Sequence, residues 1–236
     1  MANPVKIPAR VRRVTRHSEK VASFEFEPLG RVPRFQPGQF LHLALDEYRM
    51  GSPWPDSRVF SIASAPSERK ETLAITVSAK GPFTERILDE LGEGEGCWLK
   101  LPYGDFTFGH HEHLTLIAGG VGITPYVSLL KTLLEQRSNQ AVTLYYGFRQ
   151  SELFLFSDLI HACDAQLEHF QTVIYCEETY PAAHYGRLDI EEIVREVHSD
   201  TIYYLSGPLK MIRAFEKMLL ELNVSSAQIK IDDWGL

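Results

Sequence analysis

Gly119-Gly120-Val121-Gly122-Ile123-Thr124-Pro125 is the stretch whose residue types and spacing most plainly suit chemistry. An apolar run, Leu114–Ala118, leads into it, and a helical pattern from Pro125 to about Gln136 leads out. Glycines let a backbone approach a pyrophosphate closely, and a helix start offers free N–H groups and the positive end of a dipole. Thr124 suits the N-cap, and Pro125 suits the first helical position, where a missing N–H costs nothing. The Gly-x-Gly-x-x-Pro spacing is a variant of the dinucleotide fingerprint. Taken alone, it also fits a tight turn with no ligand.

Arg58-Val59-Phe60-Ser61 is the second such stretch. Arg58 can hold a pyrophosphate through two parallel hydrogen bonds, Phe60 can cover a flat ring, and Ser61 can reach a ring nitrogen. The same pattern also suits an ordinary strand with one solvated arginine. The third is Lys80-Gly81-Pro82-Phe83-Thr84, where Thr84 can cap a following helix whose start would hold the same phosphates as Arg58. His110, His111 and His113 could bind metal, but they sit in a polar stretch and read as solvated surface, so no metal is expected. Lys6, Arg10, Arg12, Arg13, Arg16 and Lys20 make the N-terminus basic, as either a solvated strand face or a docking patch for an acidic partner.

These residues need elements to hold them. Val11–Thr15, Ser23–Glu27, Phe40–Leu45, Arg58–Ser64, Thr72–Ser78 and Cys97–Leu101 read as short strands with Pro and Gly clusters between them, interrupted by one helix at Phe83–Leu91. That pattern predicts an antiparallel β-barrel. After about Phe108 the pattern changes to continuous apolar strands, Leu114–Ala118 and Val142–Tyr146 among them, alternating with helices up to Met211–Leu222. Such strands belong to a parallel sheet covered on both faces, so an α/β doubly wound domain is expected. The domains are set at 1–108 and 109–236, with Gly109–His113 as linker.

Composition narrows the function. The chain carries 24 Lys and Arg against 31 Asp and Glu, a net charge of −7, which argues against nucleic-acid binding. No apolar run is long enough to span a bilayer, and the basic N-terminus has no apolar core behind it, so a cytoplasmic protein with no membrane partner is expected. Three widely spaced cysteines, Cys97, Cys163 and Cys176, cannot supply the four thiolates of a plant-type [2Fe–2S] cluster.

In their order along the chain, the motifs resemble the ferredoxin–NADP⁺ reductase superfamily. Arg58-Val59-Phe60-Ser61 is similar to its flavin motif Arg-x-Tyr-Ser, and Pro102-Tyr103-Gly104-Asp105-Phe106 to the end of its flavin domain. Gly119–Pro125 is similar to its nucleotide loop, Tyr146-Gly147-Phe148-Arg149 to the strand end facing the adenosine ribose, and Ser206-Gly207-Pro208 with Met211 to its Cys-Gly-Pro-x-x-Met segment. The resemblance implies an FAD site at Arg58, Val59, Phe60, Ser61, Val77, Phe83 and Thr84. It implies a nicotinamide-dinucleotide site at Gly119, Gly120, Gly122, Thr124, Pro125, Gly147, Arg149, Glu177, Gly207, Pro208 and Met211. Ser61, Ser206 and Trp234 would stand at the hydride-transfer centre, with Trp234 over the flavin. Three departures stand out: Phe60 for the usual tyrosine, Ser206 for the frequent cysteine, and two residues beyond Trp234.

The implied activity is an FAD-dependent reductase that takes hydride from NAD(P)H onto flavin N5. It would pass electrons to a ferredoxin, a flavodoxin, an oxygenase component or free flavin. NADH is the expected donor, with NADPH possible, because Cys176-Glu177 stands where NADPH-preferring relatives commonly carry Ser-Arg; Arg149 argues the other way. Two other functions compete. A dehydrogenase acting directly on an organic substrate would leave the flavin motif unexplained, and a non-catalytic nucleotide-sensing module would bind without turnover.

Overall fold

The computed structural model of the protein describes residues 3–198 and 200–233. The chain divides into two compact units, Met1–Thr107 with Thr124–Thr132, and Phe108–Ile123 with Leu133–Leu236.

The first unit holds β1 (Val5–Ser18), β2 (Val21–Pro28), β3 (Phe40–Ala44), β4 (Arg58–Ser61), β5 (Leu73–Ser78), α1 (Pro82–Glu90) and β6 (Gly96–Tyr103). The strands form one antiparallel sheet in the order β4-β3-β6-β1-β2-β5. The Ala63 N–H donates to the Ala74 carbonyl at 2.8 Å, which brings the chain after β4 against β5 and curls the sheet toward a closed barrel. Alternate residues of β1, β2 and β6, such as Ile7, Phe24, Phe26 and Leu99, face one apolar core, as the period-2 pattern requires. Strand β1 is longer than the expected Val11–Thr15. Its outward positions are basic, and a register shift between Val11 and Arg13 breaks the alternation that would have revealed it. Strand β4 is shorter than expected and stops at Ser61, although the Ile62 N–H still donates to the Gln39 carbonyl at 2.9 Å in the same register toward β3.

The second unit begins with β7 (His113–Gly119), followed by a 3₁₀ turn over Gly120–Ile123. Helix α2 (Thr124–Gln136) comes next; its first part groups with the barrel unit. Then follow β8 (Ala141–Phe148), α3 (Ser157–Gln166), β9 (Phe170–Cys176), β10 (His184–Tyr185), α4 (Ile190–Glu196), β11 (Ile202–Ser206), α5 (Leu209–Glu221) and β12 (Ile229–Ile231). All six strands are parallel, in the order β10-β9-β8-β7-β11-β12. The chain moves outward from β7 to β10 and then returns to β11 on the other side of β7. The order therefore reverses between β7 and β11, and at such a point the carboxyl ends of the strands leave a crevice for a ligand.

His113 was expected to be solvated linker and is instead the first residue of β7. Its Nδ1 lies 2.9 Å from the Thr201 hydroxyl and its Nε2 3.1 Å from the Thr143 hydroxyl. The ring thus ties the amino ends of three neighbouring strands, so polarity here reflects satisfied hydrogen bonds rather than solvent.

Candidate functional site

The glycine turn lies at the carboxyl end of β7, on the switch point. Gly122 packs against the end of β11 so closely that an added Cβ would lie 2.5 Å from the Gly207 backbone and the Ser206 carbonyl oxygen. An added Cβ at Gly119 would meet the Met211 sulfur at 2.7 Å, and one at Gly207 the Met211 methyl at 2.7 Å. Met211, in the first turn of α5, therefore covers two glycines at once. Gly120 differs: its φ is +53°, and nothing lies within 4 Å of the added atom. One edge of the turn is locked to β11 while another presents bare backbone, which is the shape a pyrophosphate requires.

Thr124 does not cap α2. The 3₁₀ turn runs straight into the helix, the cap position falls on Ile123 with helical φ and ψ, and no side chain caps it. Thr124 is itself the first helical residue, and Pro125 moves to the second position. The 3₁₀ turn at Gly120–Ile123, and not a capping side chain, thus leads from β7 into α2.

At the end of β11, Ser206 is buried, and its hydroxyl donates to Asp232 Oδ2 at 2.9 Å. The Asp232 N–H donates to the Leu205 carbonyl, so the carboxylate is fixed by backbone. Pro208 precedes α5 and its carbonyl accepts from the Met211 and Ile212 N–H groups. Gly147, near the end of β8, leaves room for the Leu188 side chain, which an added Cβ would meet at 2.8 Å. Arg149 and Glu177 follow β8 and β9, and Arg149 Nε lies 3.8 Å from Glu177 Oε1. Arg187 makes the closer pair, with Nε at 3.2 Å from Oε1 and Nη2 at 3.3 Å from Oε2. Trp234 lies outside the described residues.

In the barrel unit, the Arg58 guanidinium lies 4.8 Å from the centre of the Phe83 ring, above the first turn of α1. The sequence placed Arg58 and this helix start together, and the structure brings them together. A Cβ at Gly81 would meet nothing within 4 Å, so the helix start is open to a ligand. Thr84 is not the cap. It stands one turn in and reaches back, its Oγ1 accepting from the Lys80 N–H (2.8 Å) and the Gly81 N–H (3.1 Å) while donating to the Gly81 carbonyl (2.9 Å). The hydroxyl shapes the approach to α1 and is fully engaged there. Phe60 and Ser61 are buried, Phe60 with Val77 and Phe83 in the barrel core, and Val59 is half-buried.

Sequence reasoning missed Asp56, whose Oδ1 accepts from Arg58 Nη1 at 2.6 Å while the Ser57 carbonyl accepts from the same nitrogen. The two residues stand at i, i+2, but Asp56 lies in a bend before β4, so no strand alternation marks the pair. It also missed the partnership of Ser206 with Asp232. No local pattern announces that pair, because it depends on the return of the chain along β12.

The first unit thus carries an arginine above an open helix start, and the second a glycine turn at the switch point of a parallel sheet. Residues 116–217 match the family model of the oxidoreductase NAD-binding domain. The chain shares its two-unit fold with solved structures. The FAD/NAD-binding domain of nitric oxide dioxygenase from Vibrio cholerae O1 biovar El Tor superimposes with a TM-score of 0.80 at 24% identity, over 96% of this chain and 97% of that one. A ferredoxin NADP⁺ reductase from Neisseria gonorrhoeae with bound FAD and NADP gives 0.77 at 20% identity, over 98% and 99%. In sequence, the chain is 28% identical to the flavohemoprotein of Rhizobium meliloti (strain 1021) over 242 residues, covering 95% of this chain and 59% of that protein. The chain thus spans about three fifths of the length of this flavohemoprotein.

Proposed function

We propose that the protein is an FAD-dependent reductase that takes hydride from NAD(P)H and hands the electrons to a separate acceptor such as a ferredoxin, a flavodoxin or an oxygenase component. The observation that carries this reading is the glycine turn at the switch point, with Gly120 open and Gly122 locked to β11. Residues 1–108 would serve FAD and 109–236 the nicotinamide dinucleotide.

The residues present fit the FAD pyrophosphate: an exposed guanidinium above an open helix start is the donor set such an anion needs. Bound FAD would supply the hydride acceptor, N5, and the means to release electrons singly. The chain's residues do the rest. Arg58 holds phosphate, exchanging Asp56 for it on one nitrogen. Thr84 keeps the backbone before α1 in shape, and Phe60 and Val77 brace β4 and β5 from the barrel core. Gly119, Gly120 and Gly122 admit the dinucleotide, and Met211 keeps the turn pressed to β11. Asp232 holds the Ser206 proton, leaving the hydroxyl oxygen free to accept at the carboxyl end of β11. Trp234 is assigned to the flavin face, and deleting residues 234–236 should change the rate of flavin reduction while FAD stays bound.

Purified protein supplied with FAD should be yellow and should bleach anaerobically on addition of NADH or NADPH. Bleaching rules out a sensor without turnover. A protein that stays colourless with excess FAD would overturn the reading.

A further inference from the structure

Gln39 immediately precedes β3 and is buried. Among the described residues it is the only buried side chain with a carboxamide, every other buried polar side chain being a hydroxyl. Each end of that carboxamide meets a backbone group that fixes its role. Its Oε1 accepts from the Gln36 N–H at 2.9 Å, and its Nε2 donates to the Gly104 carbonyl at 2.9 Å. The backbone of Gln39 is engaged as well: its carbonyl accepts from the Ile62 N–H at 2.9 Å, and its N–H donates to the Gln36 carbonyl at 3.2 Å. One residue thus joins the turn before β3 to the residue after β4 and the residue after β6. Register supports the joint, since Phe40 stands opposite Ser61 on one side and Tyr103 on the other. Gly104 has φ +88°, and an added Cβ there would lie 2.8 Å from the Phe40 ring, so its backbone lies tight against that ring.

We propose that Gln39 is a positioning residue for FAD: through Ile62 and Gly104 it fixes the ends of β4 and β6 against each other and so holds Arg58–Ser61 in the place that accepts the flavin. The inference rests on the reading that FAD lies along β4. An apolar side chain at this position would leave the Gly104 carbonyl and the Gln36 N–H without these partners, and the strand ends would shift to relieve the loss. A carboxyl group has the shape of the carboxamide and separates the two contacts by pH. Protonated, it donates to the Gly104 carbonyl and accepts from the Gln36 N–H, as the amide does. Ionised, it still accepts from Gln36 but sets a negative oxygen against the Gly104 carbonyl oxygen, so the joint to β6 opens. Burial and the facing carbonyl both favour the protonated form, which raises the titration of the introduced group above the ordinary range of a glutamate. The charged and titratable groups on the surrounding elements are Arg34 before the turn, His42 on β3, Arg58 on β4, and Lys100, Tyr103 and Asp105 on or after β6. All of them are present in the unaltered protein, so they cancel in a ratio of variant to unaltered chain.

The test compares Gln39→Glu and Gln39→Leu with the unaltered full chain, each supplied with FAD below its melting temperature, between about pH 5 and 9. FAD affinity is read by fluorescence titration, the surroundings of the flavin by its visible absorption spectrum, and flavin reduction by stopped flow with NADH. Gln39→Glu should match the unaltered protein at the acid end and fall behind as pH rises, to roughly tenfold weaker FAD binding with a shifted flavin spectrum. Gln39→Leu should show that loss at every pH; should it fail to fold, the pH series on Gln39→Glu decides alone. The rate of flavin reduction should follow the same pattern, while the NADH concentration giving half the maximal rate stays the same because the glycine turn is untouched. A gap between Gln39→Glu and the unaltered protein that is constant or absent across pH would overturn the inference. So would a melting temperature that follows pH while FAD affinity and spectrum do not, because Gln39 would then be a strut of the barrel alone. Failure of the unaltered protein to bind FAD would instead overturn the flavin reading itself, and this inference with it.

Discussion

Gly120 and Gly122 stand two residues apart in one turn, yet an added methyl group meets a different obstacle at each. At Gly122 the new atom would lie 2.5 Å from backbone that cannot swing aside. Gly122→Ala should therefore destabilise the fold by about 1–3 kcal/mol, read as a lower melting temperature even without ligand. At Gly120 there is room, and the cost is the left-handed backbone, roughly 1–2 kcal/mol. The added methyl would also project from the open edge of the turn, so Gly120→Ala should weaken NADH and 5′-AMP binding more than Gly122→Ala does at a temperature where both are folded. Equal affinities in the two variants would show that the open edge is not the nucleotide face. Arg58 offers a second test at this scale. Arg58→Ala should weaken FAD binding to apo-protein by roughly one to two decades, since a charge-assisted contact contributes about 1.5–3 kcal/mol. Asp56→Ala should leave FAD affinity the same or tighter, because it frees one of the two Nη1 hydrogens of Arg58, the other staying on the Ser57 carbonyl. Residue types and spacing singled out Arg58 and the glycines as candidates, because their chemistry is local. They could not reveal that the Thr84 hydroxyl is already engaged, nor that Arg187 crosses to Glu177, because both depend on how a loop returns.

Elements position these residues, and two of them have consequences that can be measured. The start of α1 has no side-chain cap at Gly81, and three hydrogen bonds through the Thr84 hydroxyl take its place. Thr84→Ala should cost about 1–2 kcal/mol of stability and weaken FAD binding, and Thr84→Ser should recover both. Recovery of stability without recovery of FAD affinity would separate the helix start from the flavin site. At the amino ends of β7, β8 and β11, burial lowers the His113 pKa below its ordinary 6.5, and the neighbouring His198 lowers it further. Burial lowers His17 likewise, and burial with Lys100 lowers His42. In each case the fold disfavours the protonated ring, so the unfolded chain binds more protons as pH falls. The contribution to stability is complete above about 6.5 and is lost as pH drops through that value toward the lower folded pKa. Melting temperature should accordingly decline below about pH 6.5, and His113→Gln should lessen the decline without abolishing it, since His17 and His42 remain. An identical decline in the variant would remove His113 from the account. Sequence patterning found the strands themselves; it misread His113 because a polar residue at a strand start looks the same as linker until its threonine partners, from two other strands, are known.

For the whole molecule, the change from alternating to continuous apolar strands near Phe108 separated a barrel from a parallel sheet, because each periodicity reflects how many faces of a strand are covered. That pattern says nothing about helix α2. It lies beyond the expected boundary, yet Thr124–Thr132 belongs to the same compact unit as the barrel. Within that unit Tyr126 is fully buried, its ring 6.2 Å from that of Phe106, and Lys131 Nζ lies 3.0 Å from Glu68 Oε2. The ion pair is partly exposed and contributes little, about 0–1 kcal/mol, so Lys131→Ala in the intact chain should scarcely move the melting temperature. Tyr126 is the larger effect: removing a buried aromatic ring costs about 3–5 kcal/mol. A fragment ending at residue 108 loses that ring together with the rest of Thr124–Thr132. It should melt well below the intact protein and bind FAD more weakly, even though every strand of the barrel and all of α1 are present. Hydrogen exchange would locate the loss around Phe106 and β6. If the fragment instead kept the barrel's exchange protection and its FAD affinity, Thr124–Thr132 would be dispensable to the first unit, and the boundary read from strand pattern would be the physical one.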